Sequence, residues 1–177
     1  MTQKAMGDRL PREMVEVVDD FDAPLCILSL GDCDKQFLNR RSVAVFIFDE
    51  NGKVMLKKRA SGASLFPNRW DVPLSSHLRA GESRSEAAVR SLRQEMGIRG
   101  NRPVLRNSMC ASPSNGHKFI TIFTVSCSSR IAGVRELLNR QKAMFVDREE
   151  LASLTEDFRE TLTPELVLFF EQDLIFP

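Results

Sequence analysis

Apolar and polar positions alternate along this chain in blocks whose period changes from strand-like to helix-like and back. Val43 to Phe48 is a continuous apolar run rich in β-branched and aromatic residues, which predicts a buried strand. Asp49-Glu50-Asn51-Gly52 then supplies a hairpin turn, and Val54 to Lys57 predicts the returning strand. Met14 to Val18 and Leu25 to Leu30 read as short strands around the turn-forming segment Asp19 to Pro24. The period lengthens over Glu82 to Met96, where Ala88, Leu92 and Met96 recur every fourth residue with Val89 beside them. That pattern predicts an amphipathic helix, and Gly97 supplies its stop. Pro103 to Cys110 and Phe119 to Cys127 predict further strands. Val134 to Asn139 fits either period, Ala143 to Val146 reads as extended, and Glu149 to Leu154 as a short helix. Pro164 sits at a first-turn position and opens a last helix to Gln172, with Leu166, Phe169 and Phe170 facing the core. The pattern implies a flexible N-terminus over 1–13 and a single mixed α/β (α+β) domain over 14–177.

Composition narrows the function class. With 42% apolar and 28% charged residues, the 177-residue chain is of ordinary globular type and long enough for a full core. A formal net charge of +1 gives no general attraction to a nucleic acid polymer or an anionic membrane. Residues 79 to 106 nevertheless carry seven arginines against three glutamates, whereas 147 to 177 carry nine acids against Arg148 and Arg159. A basic middle beside an acidic end suits a small anionic ligand, or simply an unevenly charged solvated surface. Cys26, Cys33, Cys110 and Cys127 form no Cys-x-x-Cys pair and read as free thiols in a reducing cytosol. There is no secretory h-region at the start and no apolar run long enough to span a bilayer, so the expected location is cytoplasmic.

Candidate chemistry gathers between Lys53 and Ile98. Ser76, Glu82, Arg90, Ser91, Leu92, Gln94, Glu95, Gly97 and Ile98 fall at the nine defined places of the pattern Gly-x5-Glu-x7-Arg-Glu-(Leu/Ile)-x-Glu-Glu-x-Gly-(Leu/Ile). Six agree, and Ser76, Ser91 and Gln94 depart from it. The segment therefore resembles the box of the Nudix superfamily. Lys58-Arg59-Ala60, Phe66-Pro67-Asn68-Arg69-Trp70, Ser75-Ser76-His77 and Gly81-Glu82-Ser83 resemble its isopentenyl-diphosphate isomerase-like branch, a likeness that extends over about residues 14 to 172. The resemblance implies a Nudix fold, a mixed β-sheet sandwiched between helices.

It implies less about activity. In the isomerase a cysteine and a glutamate move the proton. Here the cysteine position holds Ser75, the strand glutamates fall at Gly116 and Lys118, and a metal-binding histidine position holds Arg40. Cations oppose a divalent metal, so the isomerase is disfavoured. The pyrophosphohydrolase (pyrophosphatase) chemistry of the superfamily implies Mg²⁺ or Mn²⁺ held by helix carboxylates against a diphosphate. On that reading the metal candidates are Glu95 and Glu82, and the candidate catalytic groups are Glu95, Glu86 and Glu82. Arg59, Trp70, His77 and Arg90 are the candidate substrate contacts. Positions 91 and 95 are expected to share a helix face, and Glu86 and Arg90 to form an i, i+4 ion pair. Each residue also has a purely structural role open to it. Glu82 suits a helix N-terminus, His77 a loop hydrogen bond, and Trp70 and Phe66 the core.

The expected activity is cleavage of a diphosphate linkage in a nucleotide-type or other organic diphosphate, weak because box glutamates are missing. The alternative is a non-catalytic module that binds a nucleotide or phosphometabolite, or another protein. The strands around Met14 to Leu30 could pair between subunits and give a homodimer.

Overall fold

The computed structural model describes residues 13–128 and 131–176, so most of the expected flexible N-terminus lies outside the described residues. Nine strands join into one mixed sheet among them: β1 (Met14–Val18), β2 (Pro24–Ser29), β3 (Arg40–Phe48), β4 (Val54–Lys58), β5 (Trp70–Asp71), β6 (Leu74–His77), β7 (Val104–Met109), β8 (Lys118–Ser126) and β9 (Ala143–Val146). The apolar run over Val43 to Phe48 becomes β3, the hub of the sheet. It pairs in parallel with β8 from Arg40↔Lys118 to Phe48↔Ser126, and antiparallel with β1, β4 and β6. The turn after β3 forms as expected. Asp49 accepts from the amides of Asn51 and Lys53, each at 2.9 Å, and Gly52 takes φ 76°.

Among the described residues five α-helices accompany the sheet: α1 (Leu30–Lys35), α2 (Arg84–Met96), α3 (Ala132–Asn139), α4 (Arg148–Asp157) and α5 (Pro164–Glu171). Alternation along β3 sorts the core in two. Val43, Val45 and Ile47 meet α2 and Val134 of α3. Ala44, Phe46 and Phe48 meet Leu151 of α4 and Leu166, Val167 and Phe169 of α5. The sheet is thus sandwiched between helices, the expected architecture.

Differences from the sequence reading are local. The second strand stops at Ser29, which instead caps α1 by accepting from the Asp32 amide. Val134 to Asn139, open to either period, falls in a helix that begins at Ala132, with Val134 buried. Val89 does not join the apolar stripe of α2: it is 48% exposed, and Ala87 is buried in its stead. No helix among the described residues is long and apolar enough to cross a membrane, and all four cysteines are free thiols.

Candidate active site

The box helix begins with chemistry that is entirely structural. Ser83 is the N-cap of α2 and accepts from the Glu86 amide, while the Glu86 carboxylate accepts from the Ser83 amide at 2.9 Å. This capping box holds the Glu86 carboxyl below its usual range, through its hydrogen bond with Ser83. Glu86 therefore does not form the expected ion pair with Arg90. Glu82 forms it, from the turn before the helix, at 2.6 Å. Arg90 also donates to Ser76 Oγ at 3.2 Å and to the His77 carbonyl at 2.9 Å, which ties α2 to β6. The hydrogen bond from Arg90 pushes the Glu82 carboxyl down. Both residues line an open groove along the exposed face of α2, and Arg90 orients Glu82 rather than reaching the clefts described below.

Further along α2, positions 91 and 95 stand one turn apart, but only the second is exposed. Ser91 is 1% exposed and donates its hydroxyl back to the Ala87 carbonyl at 2.9 Å. Glu95 is exposed and meets Lys57 of β4 at 2.9 Å. An acid near a helix C-terminus opposes the dipole and needs a cationic partner, and here that partner is a lysine.

No group of three or more metal-capable side chains converges among the described residues. Glu82 and Glu86 are committed to Arg90 and to the helix cap. The donor set does not make a protein-built metal cage. It suits at most one ion shared between Glu95 and the oxygens of a bound phosphate.

Glu95 opens onto a cleft of about 300 Å³ that also takes in Lys57, Arg59, Asp71 and Ser75. Arg59 is fixed by Asp71 at 2.7 Å and by donation from Nε to the Leu65 carbonyl at 3.0 Å. Asp71 in turn accepts from Thr163 Oγ1 at 2.7 Å, so α5 and β5 brace the arginine together. Arg59, Asp71 and Ser75 also line a second, deeper cavity of about 650 Å³. The two spaces therefore adjoin at these three side chains.

The deeper cavity is floored by β3, β6 and β8. Arg40, His77 and Lys118 face it, with Asp34 against Arg40 at 2.5 Å and Glu165 against Lys118. Ser75 donates to Glu165 at 3.2 Å. Burial, and then the nearby charges of Arg40 and Lys118, push the His77 imidazole down to about 3. It is neutral at any physiological pH. Phe37, Phe66 and His117 also line this cavity, with φ of 53°, 48° and 58°. Left-handed backbone at bulky residues is strained, and such strain collects at binding sites.

The sequence-derived candidates are thus divided among three places. Glu82, Glu86 and Arg90 share the open groove, Glu95 and Arg59 share the outer cleft, and His77 sits in the inner cavity. Trp70 is in β5, packed against the core with the Lys58 ammonium 5.4 Å from its ring centroid, and lines neither cleft. Sequence reasoning missed Asp34, Asp71 and Glu165, whose pairing with cations is visible only in three dimensions. It also read Arg40 and Lys118 solely as obstacles to a metal.

Comparison with known proteins agrees with this architecture. The NUDIX domain family model matches residues 38–166. An uncharacterized Nudix hydrolase of Pseudomonas aeruginosa is 28% identical over 99 residues, which are 56% of this chain and 57% of that protein. An isopentenyl-diphosphate Delta-isomerase 2 of Aromatoleum aromaticum is 30% identical over 86 residues, 49% of this chain and 46% of that one. The chain thus spans only about half the length of these curated relatives. An isopentenyl-diphosphate Delta-isomerase of Cereibacter sphaeroides is 29% identical over 140 residues, with 76% of this chain and 79% of that protein covered. The crystal structure of DR0079 from Deinococcus radiodurans superposes with a TM-score of 0.71 at 19% identity, over 90% of this chain and 98% of that one. Fold, box and family match coincide on one segment, and the chain belongs to the NUDIX family.

Proposed function

We propose that the chain is a slow hydrolase of a diphosphate linkage in a small organic diphosphate, nucleotides included, bound across the outer cleft and the inner cavity. One observation carries the reading: Glu95 and Arg59 line the same cleft, and Arg59 continues into the larger cavity behind it. Arg59 is braced on Asp71 and Leu65 and presents its remaining N–H groups to a phosphate with little further loss of side-chain freedom. Glu95 would hold Mg²⁺ or Mn²⁺ jointly with the ligand's own oxygens, and such an ion supplies charge neutralisation and a more acidic water. Glu82 and Glu86 lie in the separate groove, and the other acids of the two clefts are engaged as well, Asp71 with Arg59 and Thr163 and Glu165 with Lys118 and Ser75, so no free carboxylate is placed as a base. Absence of a positioned base costs on the order of 10²–10⁴-fold in rate, hence a slow enzyme.

A second reading, a module that binds the phosphate compound without cleaving it, is favoured by the Lys57–Glu95 pair, which already neutralises the one available ligand. The two separate in one experiment. Phosphate-bond cleavage is followed over a panel of nucleoside diphosphate derivatives with Mg²⁺ or Mn²⁺, for the wild type, Glu95→Gln and Lys57→Gln. The hydrolase predicts turnover that Glu95→Gln removes and Lys57→Gln raises. No wild-type turnover, or turnover indifferent to Glu95→Gln, ends the hydrolase reading. Thermal stabilisation by the same compounds in EDTA then supports the binding module.

A further inference from the structure

Three buried side-chain polar atoms have no hydrogen-bond partner among the described residues: Arg40 Nε, Ser42 Oγ and His77 Nδ1. Each such atom costs about 1–3 kcal/mol when left unpaired, and native proteins keep few of them. These three are not scattered. Ser42 of β3 lies directly opposite His77 of β6, and Arg40 precedes Ser42 by two residues on the same strand. Period-2 alternation then turns all three side chains to one face of the sheet. Arg40 and His77 line the inner cavity at that face, and Arg40 is only 7% exposed.

We infer that this cluster is a metal-independent oxyanion site for the phosphoryl group of an organic phosphate. Arg40 Nε–H and His77 in its Nδ1–H form stand at the cavity wall with the Ser42 hydroxyl buried behind them on the same face, and the Lys118 ammonium borders the cavity. Three donors suit the oxygens of a tetrahedral group, and the cavity of about 650 Å³ leaves room for the organic remainder. Burial, and then the charges of Arg40 and Lys118, keep His77 neutral, so its ring has a single N–H, which in the Nδ1–H form points to this site. Arg40 and Lys118 put fixed positive charge beside it. It deepens the reading of the cleft as a phosphate-compound site but does not depend on cleavage.

The test uses the full chain in EDTA, titrated with inorganic phosphate and, separately, with acetate. Ring-nitrogen NMR signals of His77 are the readout, distinguished from those of His117, the one other histidine, by a His117→Gln variant. Phosphate is expected to shift the His77 signals saturably and to favour the Nδ1–H tautomer. Ser42→Ala removes a hydroxyl that has no partner in the fold, so it should leave thermal stability unchanged while weakening phosphate binding roughly tenfold or more. Arg40→Lys, which keeps the charge and loses the Nε–H, should weaken it as well. The inference is overturned by unmoved His77 signals up to about 50 mM phosphate, by unaltered affinity in both variants, or by acetate binding as tightly as phosphate. Glu95→Gln should remove metal-dependent cleavage yet leave this affinity within about twofold. Failure of the hydrolase reading and failure of the oxyanion site are thereby separate results.

Discussion

Arg90 ties the box helix to the sheet through a single guanidinium. Its guanidinium is mostly buried between α2 and β6 and is balanced by Glu82, itself only 13% exposed at its side chain. Replacement by Glu82→Gln leaves Arg90 with no carboxylate partner and should destabilise the fold by about 1–3 kcal/mol, measured by urea denaturation. A loss below about 0.5 kcal/mol would mean that Ser76 and the His77 carbonyl suffice for Arg90. His77 gives a prediction with a sign. Its folded pKa of about 3 lies below the ordinary histidine value of 6.5. The unfolded chain therefore takes up a proton that the folded one refuses. The resulting stability is complete above about pH 6.5 and is lost as pH falls toward 3. Between pH 7.5 and 4.5 in phosphate-free buffer, the wild type should lose on the order of 2–3 kcal/mol more than His77→Gln. Parallel pH profiles for the two proteins would show that the imidazole stays solvated enough to protonate in place.

Elements differ in how far their sequence announces them. Helix α2 is legible because three signals agree: the recurrence of Ala88, Leu92 and Met96, the Ser83-x-x-Glu86 cap, and Gly97 in the left-handed conformation at φ 65°. The same cap held the information that Glu86 was already committed, which the i, i+4 rule alone misassigns to Arg90. Helix α3 is not legible, because eight residues give too few turns for a period and its place depends on a neighbour far away in sequence. That neighbour is the end of α2. A Cβ built on Gly133 would sit 2.2 Å from the Met96 carbonyl oxygen and 2.8 Å from its carbon. Glycine to alanine inside a helix ordinarily stabilises by about 0.5–1 kcal/mol. Here backbone blocks the methyl group, so Gly133→Ala should reverse that sign and lower stability by about 1–3 kcal/mol. Gly62→Ala, where nothing lies within 4 Å, is the control and should be nearly neutral. A stabilised Gly133→Ala would show that α3 can shift off α2 without loss. The clefts were least legible of all. Lys57 and Glu95 are 38 residues apart and Lys118 and Glu165 are 47 apart, and no local pattern couples them.

At the scale of the whole molecule, ion pairs offset part of the uneven charge of the sequence. Arg84 meets Asp22, Arg90 meets Glu82, and Arg148 meets Asp173. In the inner cavity Arg40, Arg59 and Lys118 are each matched by an acid, Asp34, Asp71 and Glu165. A net charge of +1 and locally balanced pairs leave little field to draw an anion from a distance. Recognition must then come from directed N–H and O–H groups at short range inside a partly desolvated space, where ions of the buffer screen poorly. This makes salt a discriminating variable. Raising sodium gluconate from about 50 to 500 mM should change phosphate affinity at the His77 signals less than about threefold, because buried contacts are screened much less than exposed ones. A chloride series alongside it separates direct competition for the donors from screening. A drop of tenfold or more in gluconate would indicate diffuse attraction to the surface arginines of residues 79 to 106, and would move the binding site from the cavity to the outside of α2.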